Sequence, residues 1–351
     1  MCSSDLQELL EYIPGTPTFV TGGFRGDGAF WFIVATDAVY DEFGALVSPG
    51  RWLANNGLTG WIDITPSIGD FSGYAQNTNI TESWNGNVLF INDEHNPPMF
   101  WPDDETSSPG PLIMYSNVQP IAITNIQPDA INTVTQRVAT FSTATVFTTP
   151  PFQVGANVII SGVDPRYYNG TFAVTTCTTS TVTYTDNTVG PYSKGGYASQ
   201  EYTWNYNPNW KGYYAKFMRQ YNTPNVGSIL VAGNLTVDRY LSSTSTETTT
   251  EIYPVTVQWS QAFGLNQAPL TWVPTVTNVA NQLEVPLHGP CVDAFPQNGQ
   301  LFLCSYWDTV VFSPINYSTT SAPILGVSLF NKGRGMLTSN CWAIEIGRAH
   351  V

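Results

Sequence analysis

Trp84-Asn85-Gly86-Asn87-Val88-Leu89-Phe90-Ile91 sets a turn directly against a short apolar run. Asn and Gly tolerate positive φ, so Asn-Gly before an apolar segment is a strong hairpin signal. The run is too short for a helix and rich in β-branched and aromatic residues, which reads as a buried strand between turns. The same order recurs along the chain. Gly26-Asp27-Gly28 precedes Phe30-Trp31-Phe32-Ile33-Val34-Ala35, and Asn225-Val226-Gly227 precedes Ser228-Ile229-Leu230-Val231-Ala232. Gln297-Asn298-Gly299-Gln300 leads into Leu301-Phe302-Leu303-Cys304. After each run come a polar stretch and a second apolar segment: Val39-Tyr40, Met99-Phe100-Trp101, Val257-Gln258-Trp259 and Val310-Val311-Phe312. This degenerate repeat of hairpin, turn and outer strand predicts propeller blades, spaced by about 60–70 residues except for one gap roughly 80 longer.

The long gap has its own character. From about Val118 to Ser199 the chain is rich in Thr and Val and alternates with period two. Strands are predicted over 155–162, 169–174 and 180–185, with the segment entered near Pro120 and left near Gly195-Gly196. The expected fold class is therefore all-β: a partial β-propeller-like domain carrying an inserted small Ig-like or barrel β module. The one fair helix candidate is Gln7–Tyr12.

The chain ends read differently. Met1-Cys2-Ser3-Ser4-Asp5-Leu6 and Glu345-Ile346-Gly347-Arg348-Ala349-His350-Val351 are what the genetic code gives for the two strands of a widely used short-read sequencing adapter. Residues 1–6 and 345–351 are thus expected to be adapter-derived scars, to be set aside in fold reasoning. The natural chain is expected to be truncated at both ends. The expected organisation is propeller-like blades over 7–117, the inserted module over 118–200, and further blades over 201–344.

Composition narrows the function classes. Charged residues are 11% of the chain and aromatics 13%, against about 25% charged residues in an average globular domain. The polar surface is therefore built from Thr, Ser, Asn, Gln and Gly. A net charge of −14 argues against a sequence-wide electrostatic grip on nucleic acid, which needs clustered Lys and Arg. An acidic surface can still serve beside DNA as a repulsive wall, or can simply confer solubility. No apolar run is long enough for a membrane span. Cys177, Cys291, Cys304 and Cys341 lack CxxC spacing and read as isolated buried thiols rather than a metal or redox site.

Catalytic signatures are absent: there is no GxSxG, HExxH or P-loop. His95, in Asn92-Asp93-Glu94-His95-Asn96-Pro97 and close to Asp103-Asp104-Glu105, admits a metal or acid/base cluster, but Pro97-Pro98 favours a solvated turn with a polar tip. His288 reads as a turn residue. A glycosidase would need two facing carboxylates. Its candidates Asp93, Asp103, Asp104, Asp238, Glu251, Glu284, Asp293 and Asp308 show no spacing signature. Arg25-Gly26-Asp27 spells an integrin tripeptide but opens a strand, as an ordinary turn does. Asn79, Asn169, Asn234 and Asn316 head glycosylation triplets of the kind chance supplies in so Asn- and Thr-rich a chain. The stretch 202–214 is more unusual. Exposed, Trp204, Tyr206, Trp210, Tyr213 and Tyr214 could stack on sugar rings or anchor a protein partner; buried, they would be blade core and domain junction.

Several segments resemble a known family. Tyr253-Pro254-Val255-Thr256-Val257-Gln258-Trp259-Ser260, then Ala268-Pro269-Leu270-Thr271-Trp272, then Asn298-Gly299-Gln300-Leu301-Phe302-Leu303, is similar to a recurring stretch in tail proteins of short-tailed bacteriophages. The pattern there is P-x-x-V-x-W-S, P-x-x-W and a strand. Phe330-Asn331-Lys332-Gly333-Arg334-Gly335-Met336-Leu337-Thr338-Ser339-Asn340 resembles the F-x-x-x-G-x-L-S-P-N segment that follows, and 84–92 with 97–101 resembles a blade of those proteins. Positions 154–163 and 168–174 resemble a small β module scattered through phage virion proteins. Gln258 stands where a basic residue is common and Thr338 where Ser is usual.

The resemblance covers most of 22–343. It implies the nozzle, tail tubular or packaged-DNA stabilisation proteins, whose propeller-like subunits ring the exit channel below the portal. On that reading the chain is a virion protein and not an enzyme. Its partners are like subunits, neighbouring tail or portal proteins, and passing DNA bound without sequence specificity. No cofactor, metal or catalytic residue comes with the resemblance. Acidic residues facing such a channel would keep DNA mobile. The alternative is a glycan- or receptor-binding propeller of a phage or bacterial surface protein.

Overall fold

The computed structural model describes all residues except 1–12, 14, 49, 59, 67–78, 104–108, 118–119, 132–134, 143–146, 148, 189, 206, 208–209, 224–225, 243–244, 246, 276–277, 316–324 and 343–351. The helix candidate Gln7–Tyr12 and the two end segments 1–6 and 345–351 lie outside the described residues. No described helix is long and apolar enough to cross a membrane.

The first sheet has the order β1-β2-β5-β6, from β1 (Pro17–Phe24), β2 (Phe30–Thr36), β5 (Arg51–Asn55) and β6 (Ile62–Asp63). Between β2 and β5, β3 (Val39–Tyr40) and β4 (Leu46–Ser48) form a separate two-stranded sheet. Val39-Tyr40 is thus not the expected outer strand of this blade. Arg51–Asn55 takes that place, because Trp52, Leu53 and Ala54 bury against the core. The second sheet has the order β10-β9-β8-β7, from β7 (Thr81–Asn85), β8 (Val88–Asn92), β9 (Met99–Trp101) and β10 (Ile113–Met114).

The next six strands close into a barrel. They are β11 (Ile121–Pro128), β12 (Gln136–Phe141), β13 (Asn157–Ser161), β14 (Gly170–Cys177), β15 (Thr181–Thr185) and β16 (Tyr197–Gln200), in the order β11-β12-β15-β14-β13-β16. A single 3₁₀ turn, Arg166–Tyr168, sits between β13 and β14. Of the two expected module types, the structure has the barrel. It closes because β16, which follows Gly195-Gly196, pairs with both β11 and β13. Ala139 and Phe141 on β12, and Val158 and Ile160 on β13, alternate inward to its core with Val182 and Tyr184. Register shifts in β11 and β14 supply the bends that closure needs.

Two further sheets follow in simple meander order. The third is β17 (Trp210–Thr223), β18 (Gly227–Tyr240), β19 (Thr248–Trp259) and β20 (Asn281–Glu284); the fourth is β21 (Asp293–Gln297), β22 (Gln300–Cys304), β23 (Asp308–Pro314) and β24 (Leu325–Lys332). Both are antiparallel throughout. The β21–β22 turn holds Asn298 at φ 51° and Gly299 at φ 74°. Two successive positive φ values define the tight hairpin that Asn-Gly favours. The protein is therefore all-β, propeller-like in its repeated four-stranded sheets, with an inserted closed barrel.

The chain divides into two compact units. One comprises Met1–Gln76, Gly86–Val88 and Met99–Pro208; the other comprises Asn77–Asn85, Leu89–Pro98 and Asn209–Val351. In the second, Phe217, Val231, Val257, Trp259, Leu301, Leu303, Val310 and Phe312 belong to one core cluster. Gly233 lies opposite Phe217 across the β17–β18 pair, and a Cβ there would sit 2.6 Å from the Phe217 ring. That ring is fully buried, so it has little room to yield. Gly233→Ala is expected to lower stability by about 1–3 kcal/mol through overpacking. A urea titration reads this directly; an unchanged midpoint would show that the ring moves aside freely.

Candidate functional site

β17 pairs with β18 along one edge only. Its other edge packs against β7, and there side chains stand in for a backbone ladder. The Met218 N–H donates to Thr81 Oγ1 (3.0 Å), the Gln220 N–H to Ser83 Oγ (3.0 Å), and Arg219 Nη1 to the Glu82 carbonyl (2.9 Å). All three pairs have the same separation of 137 residues, so the two strands run in the same direction. The hydroxyls of Thr81 and Ser83 thus satisfy buried N–H groups that a bare strand edge would leave unpaired.

Arg219 is the centre of this junction. Its Nε and Nη2 donate to Asp293 Oδ1 (2.9 Å) and Oδ2 (2.7 Å), a bidentate fork from β17 to β21. Both side chains are buried. Nη2 also donates to Asn340 Oδ1 (2.5 Å), and the Asn340 N–H donates to Asp293 Oδ2 (2.9 Å). Asn340 Nδ2 reaches the Ile80 carbonyl (2.9 Å). Asn340 sits at φ 62°, a left-handed conformation that Asn tolerates better than most residues. The guanidinium carbon lies 5.4 Å from the Trp342 ring centre, within cation–π range.

Two clefts open beside Trp342. One, of about 570 Å³, is lined by Glu82, Trp84, Gln220, Asn222, Gln297 and Trp342, with Arg219 and Tyr221. The other, of about 530 Å³, is aromatic. In it Phe295 stacks on Phe302 (5.3 Å, 10°) and on Trp342 (5.8 Å, 29°).

The carboxylates considered for hydrolysis are mostly committed elsewhere. Asp293 holds Arg219. Asp103 accepts from the Gly26 N–H (2.9 Å) and from Asn87 Nδ2 (3.2 Å). Asp238 accepts from Thr250 Oγ1 (2.6 Å), and Glu251 from Arg239 and Tyr253. Glu284 is exposed on β20, and Asp104 and Glu105 lie outside the described residues. Asp93 corrects an expectation. His95 is exposed at the tip of its turn, as expected, but the Asp93 carboxylate at the base is fully buried and accepts from the N–H of His95 and of Asn96 and from Asn96 Nδ2. Burial, opposed by those hydrogen bonds, pushes its carboxyl above the usual range. Among the described residues no group of His, Cys, Asp and Glu is placed to hold a metal ion.

Ser305, Asp308 and His288 do meet, but in the wrong order for nucleophilic catalysis. A hydrolytic triad sets the imidazole between hydroxyl and carboxylate. Here Ser305 Oγ donates to Asp308 Oδ1, and His288 Nδ1 lies 2.6 Å from Asp308 Oδ2. The backbone N–H groups of Trp307 and Asp308 both donate to Ser305 Oγ (3.0 Å). The set locks the β22–β23 turn. Burial pushes the Asp308 carboxyl up, but the Ser305 and His288 hydrogen bonds outweigh it and hold the group below its ordinary value.

The remaining sequence candidates are placed as follows. Arg25 is buried, stacks over Trp101 (3.7 Å) and donates to the Pro102 carbonyl (2.7 Å), while Asp27 accepts from the Ala29 N–H and from Trp31 Nε1. Arg25-Gly26-Asp27 is therefore a structural turn. Trp204 is fully buried, and its N–H donates to the Ser116 carbonyl (2.8 Å). Tyr213 is buried with its hydroxyl on Gln258 Oε1. Neither offers a ring face for stacking, because both rings are spent on packing. Trp210 and Tyr214 are half-buried, and Tyr206 lies outside the described residues. Cys291 and Cys304 are buried, and burial pushes the Cys291 thiol up to about 12. Cys341 is exposed, contrary to the expected burial.

The Arg219 junction was not anticipated. The signal for it is one Arg within Phe217-Met218-Arg219-Gln220-Tyr221: a cation inside an apolar strand is rarely buried without a paired acid.

No protein-family model matches the chain, and no curated protein matches it. Among solved structures it is similar to an α-L-arabinofuranosidase from Clostridium thermocellum, with 10% identity, 90% of this chain and 94% of that chain covered, and a TM-score of 0.21. At that score the likeness carries no argument about this chain's chemistry.

Removing Asp293 would strand a buried guanidinium. Asp293→Ala is expected to cost about 3–5 kcal/mol, whereas a paired Arg219→Met/Asp293→Leu replacement loses much less. Equal losses in urea denaturation would show that the charge balance is not what matters. Asp308 gives an acid signature. Its folded pKa is depressed, so its stabilisation is present above the unfolded value of about 4 and fades as pH falls through the folded value. Asp308→Asn should flatten the loss of Tm below about pH 4. An acid limb of unchanged slope would contradict this.

Proposed function

We propose that this chain is a non-enzymatic structural subunit of a short-tailed phage tail. It would form part of the head-proximal ring or nozzle through which DNA is retained and ejected. The observation that carries the reading is the exposure of apolar side chains on two edge strands. β1 and β24 are the edges of the first and fourth sheets, and Phe24 on β1 is 63% and Phe330 on β24 62% exposed. Val20 on β1 and Leu329 on β24 are also exposed. Apolar edge strands are surfaces that seek a partner chain.

The segments that resemble tail proteins support the same reading through the work they do. Trp259 is buried with Nε1 on the Val279 carbonyl (2.7 Å), and Ser260 Oγ accepts the Leu230 N–H (3.0 Å). Gln258 Nε2 donates to the Trp272 carbonyl (3.1 Å), and Asn340 completes the Arg219 junction. These residues build sheets and turns rather than a reaction centre. The partners are then like subunits and neighbouring tail or portal proteins, and DNA passes an acidic protein without specific contact.

A second reading is a glycan- or receptor-binding propeller of a phage or bacterial surface protein. The half-buried Trp210, whose ring centre lies 5.1 Å from that of Tyr213, favours it. Sedimentation velocity with electron microscopy of the full chain separates the two. The tail reading expects closed rings that Phe24→Ser and Phe330→Ser dissociate. A strict monomer at every concentration would sink it and leave the second reading.

A further inference from the structure

We propose that the cleft beside β7, β17 and the β21–β22 turn binds a neutral, hydroxyl-rich ligand, namely a neutral hexose unit of a glycan. The proposal goes beyond the tail-subunit reading and does not rest on it. It uses none of the aromatic residues of 202–214.

Size is the first argument. At about 570 Å³ the cleft falls within the range of small-molecule sites, about 300–1,000 Å³. Chemistry is the second. Trp84 and Trp342 line it, and an indole face packs well against the C–H face of a sugar ring. Gln220, Asn222 and Gln297 also line it. An amide carries both donors and acceptors, which is the match a hydroxyl needs.

Charge is the third argument, and it selects the ligand class. Among the described residues the one cation in the lining, Arg219, is neutralised by the bidentate bond to Asp293. Glu82 adds a carboxylate to the wall. A phosphate or an acidic sugar would meet repulsion and find no free cation among the described lining residues, whereas a neutral polyol meets amides. Pre-organisation is the fourth. Gln220 Nε2 is held by Asn85 Oδ1 (3.0 Å) and Asn222 Oδ1 (3.0 Å), and Asn222 Oδ1 in turn accepts from Ser228 Oγ (2.6 Å). The polar lining is thus fixed by strands before any ligand arrives, which lowers the ordering cost of binding.

The test is a titration of the full chain with methyl glycosides of glucose, galactose, mannose and N-acetylglucosamine, with methyl glucuronide as the charged control. Binding is read by saturation-transfer NMR and Trp fluorescence. At least one neutral glycoside should saturate the protein, and the glucuronide should bind more weakly. Asn222→Ala and Gln297→Ala, at exposed positions, should each weaken binding about tenfold with Tm unchanged. Trp84→Ala should abolish it; if that variant fails to fold, the two amide variants decide. The proposal is overturned if no neutral glycoside saturates, if the glucuronide binds as tightly, or if both amide variants bind like the unaltered chain.

Discussion

The fork between Arg219 and Asp293 is the constraint on which the second unit depends. Taking two charges out of water is expensive, and their attraction returns that cost only when the remaining hydrogen-bonding groups are satisfied. Here they are. The Arg219 guanidinium meets Asp293, the Glu82 carbonyl and Asn340, and Asp293 also accepts from the N–H groups of Ala294 and Asn340. A guanidinium is planar and donates along fixed directions. Satisfying it therefore sets the distance and the angle at which β7, β17, β21 and the segment ending at Asn340 meet. An apolar contact of equal area would hold these elements together without fixing their register.

The same logic governs the sheet edges. A four-stranded sheet has two edges, and each buried edge needs donors and acceptors from somewhere. At β17 they come from Thr81 and Ser83. At β10 they come from Gln153, whose Oε1 accepts the Met114 N–H (3.1 Å) and whose Nε2 donates to the Leu112 carbonyl (2.7 Å). One amide here mimics a strand, using the paired donor and acceptor that a peptide unit also carries. β1 and β24 differ: each carries large exposed apolar side chains, Val20 and Phe24 on β1 and Leu329 and Phe330 on β24. Edges sealed by polar side chains are finished surfaces, while edges carrying Phe24 and Phe330 are suited to burial by another chain.

Much of the fold was legible in the sequence. The four turn-and-run pairs fall at β2, β8, β18 and β22, because Gly and Asn punctuate the chain where positive φ is needed and the runs between them can only be buried. The barrel strands near 157–161, 170–177 and 181–185 were legible from period-two alternation. β5 was not, since Arg51-Trp52-Leu53-Ala54-Asn55 lacks a preceding turn of the same type, and Val39-Tyr40 looked like the next apolar segment. The site was far less legible. Asp293 was one of eight carboxylates without spacing, because its partner lies 74 residues away. Nothing local to Thr81 and Ser83 reveals that their hydroxyls face another strand's N–H groups. The 202–214 aromatics could not be divided into core and surface, since composition says how much apolar area must be buried and not which ring finds a cavity.

The distribution of charge ties these features to function. The chain has 12 Lys and Arg against 26 Asp and Glu. Arg25 is spent on Trp101 and Pro102, Arg137 on the Thr188 carbonyl, and Arg219 on Asp293. Arg51, Lys216 and Arg239 pair with Asp63, Glu94 and Glu251. Half of the cations are therefore neutralised or turned inward, and the acids outnumber what is left. A surface of this kind gives a polyanion few counterion-releasing contacts, which are the main source of non-specific affinity for DNA. The same shortage of free cations governs the cleft beside Trp342, whose single guanidinium already has its acid. The proposed passage of DNA and the proposed preference for an uncharged ligand would thus share one physical origin, a polar surface made of amides and hydroxyls with half of its cations used to hold the fold.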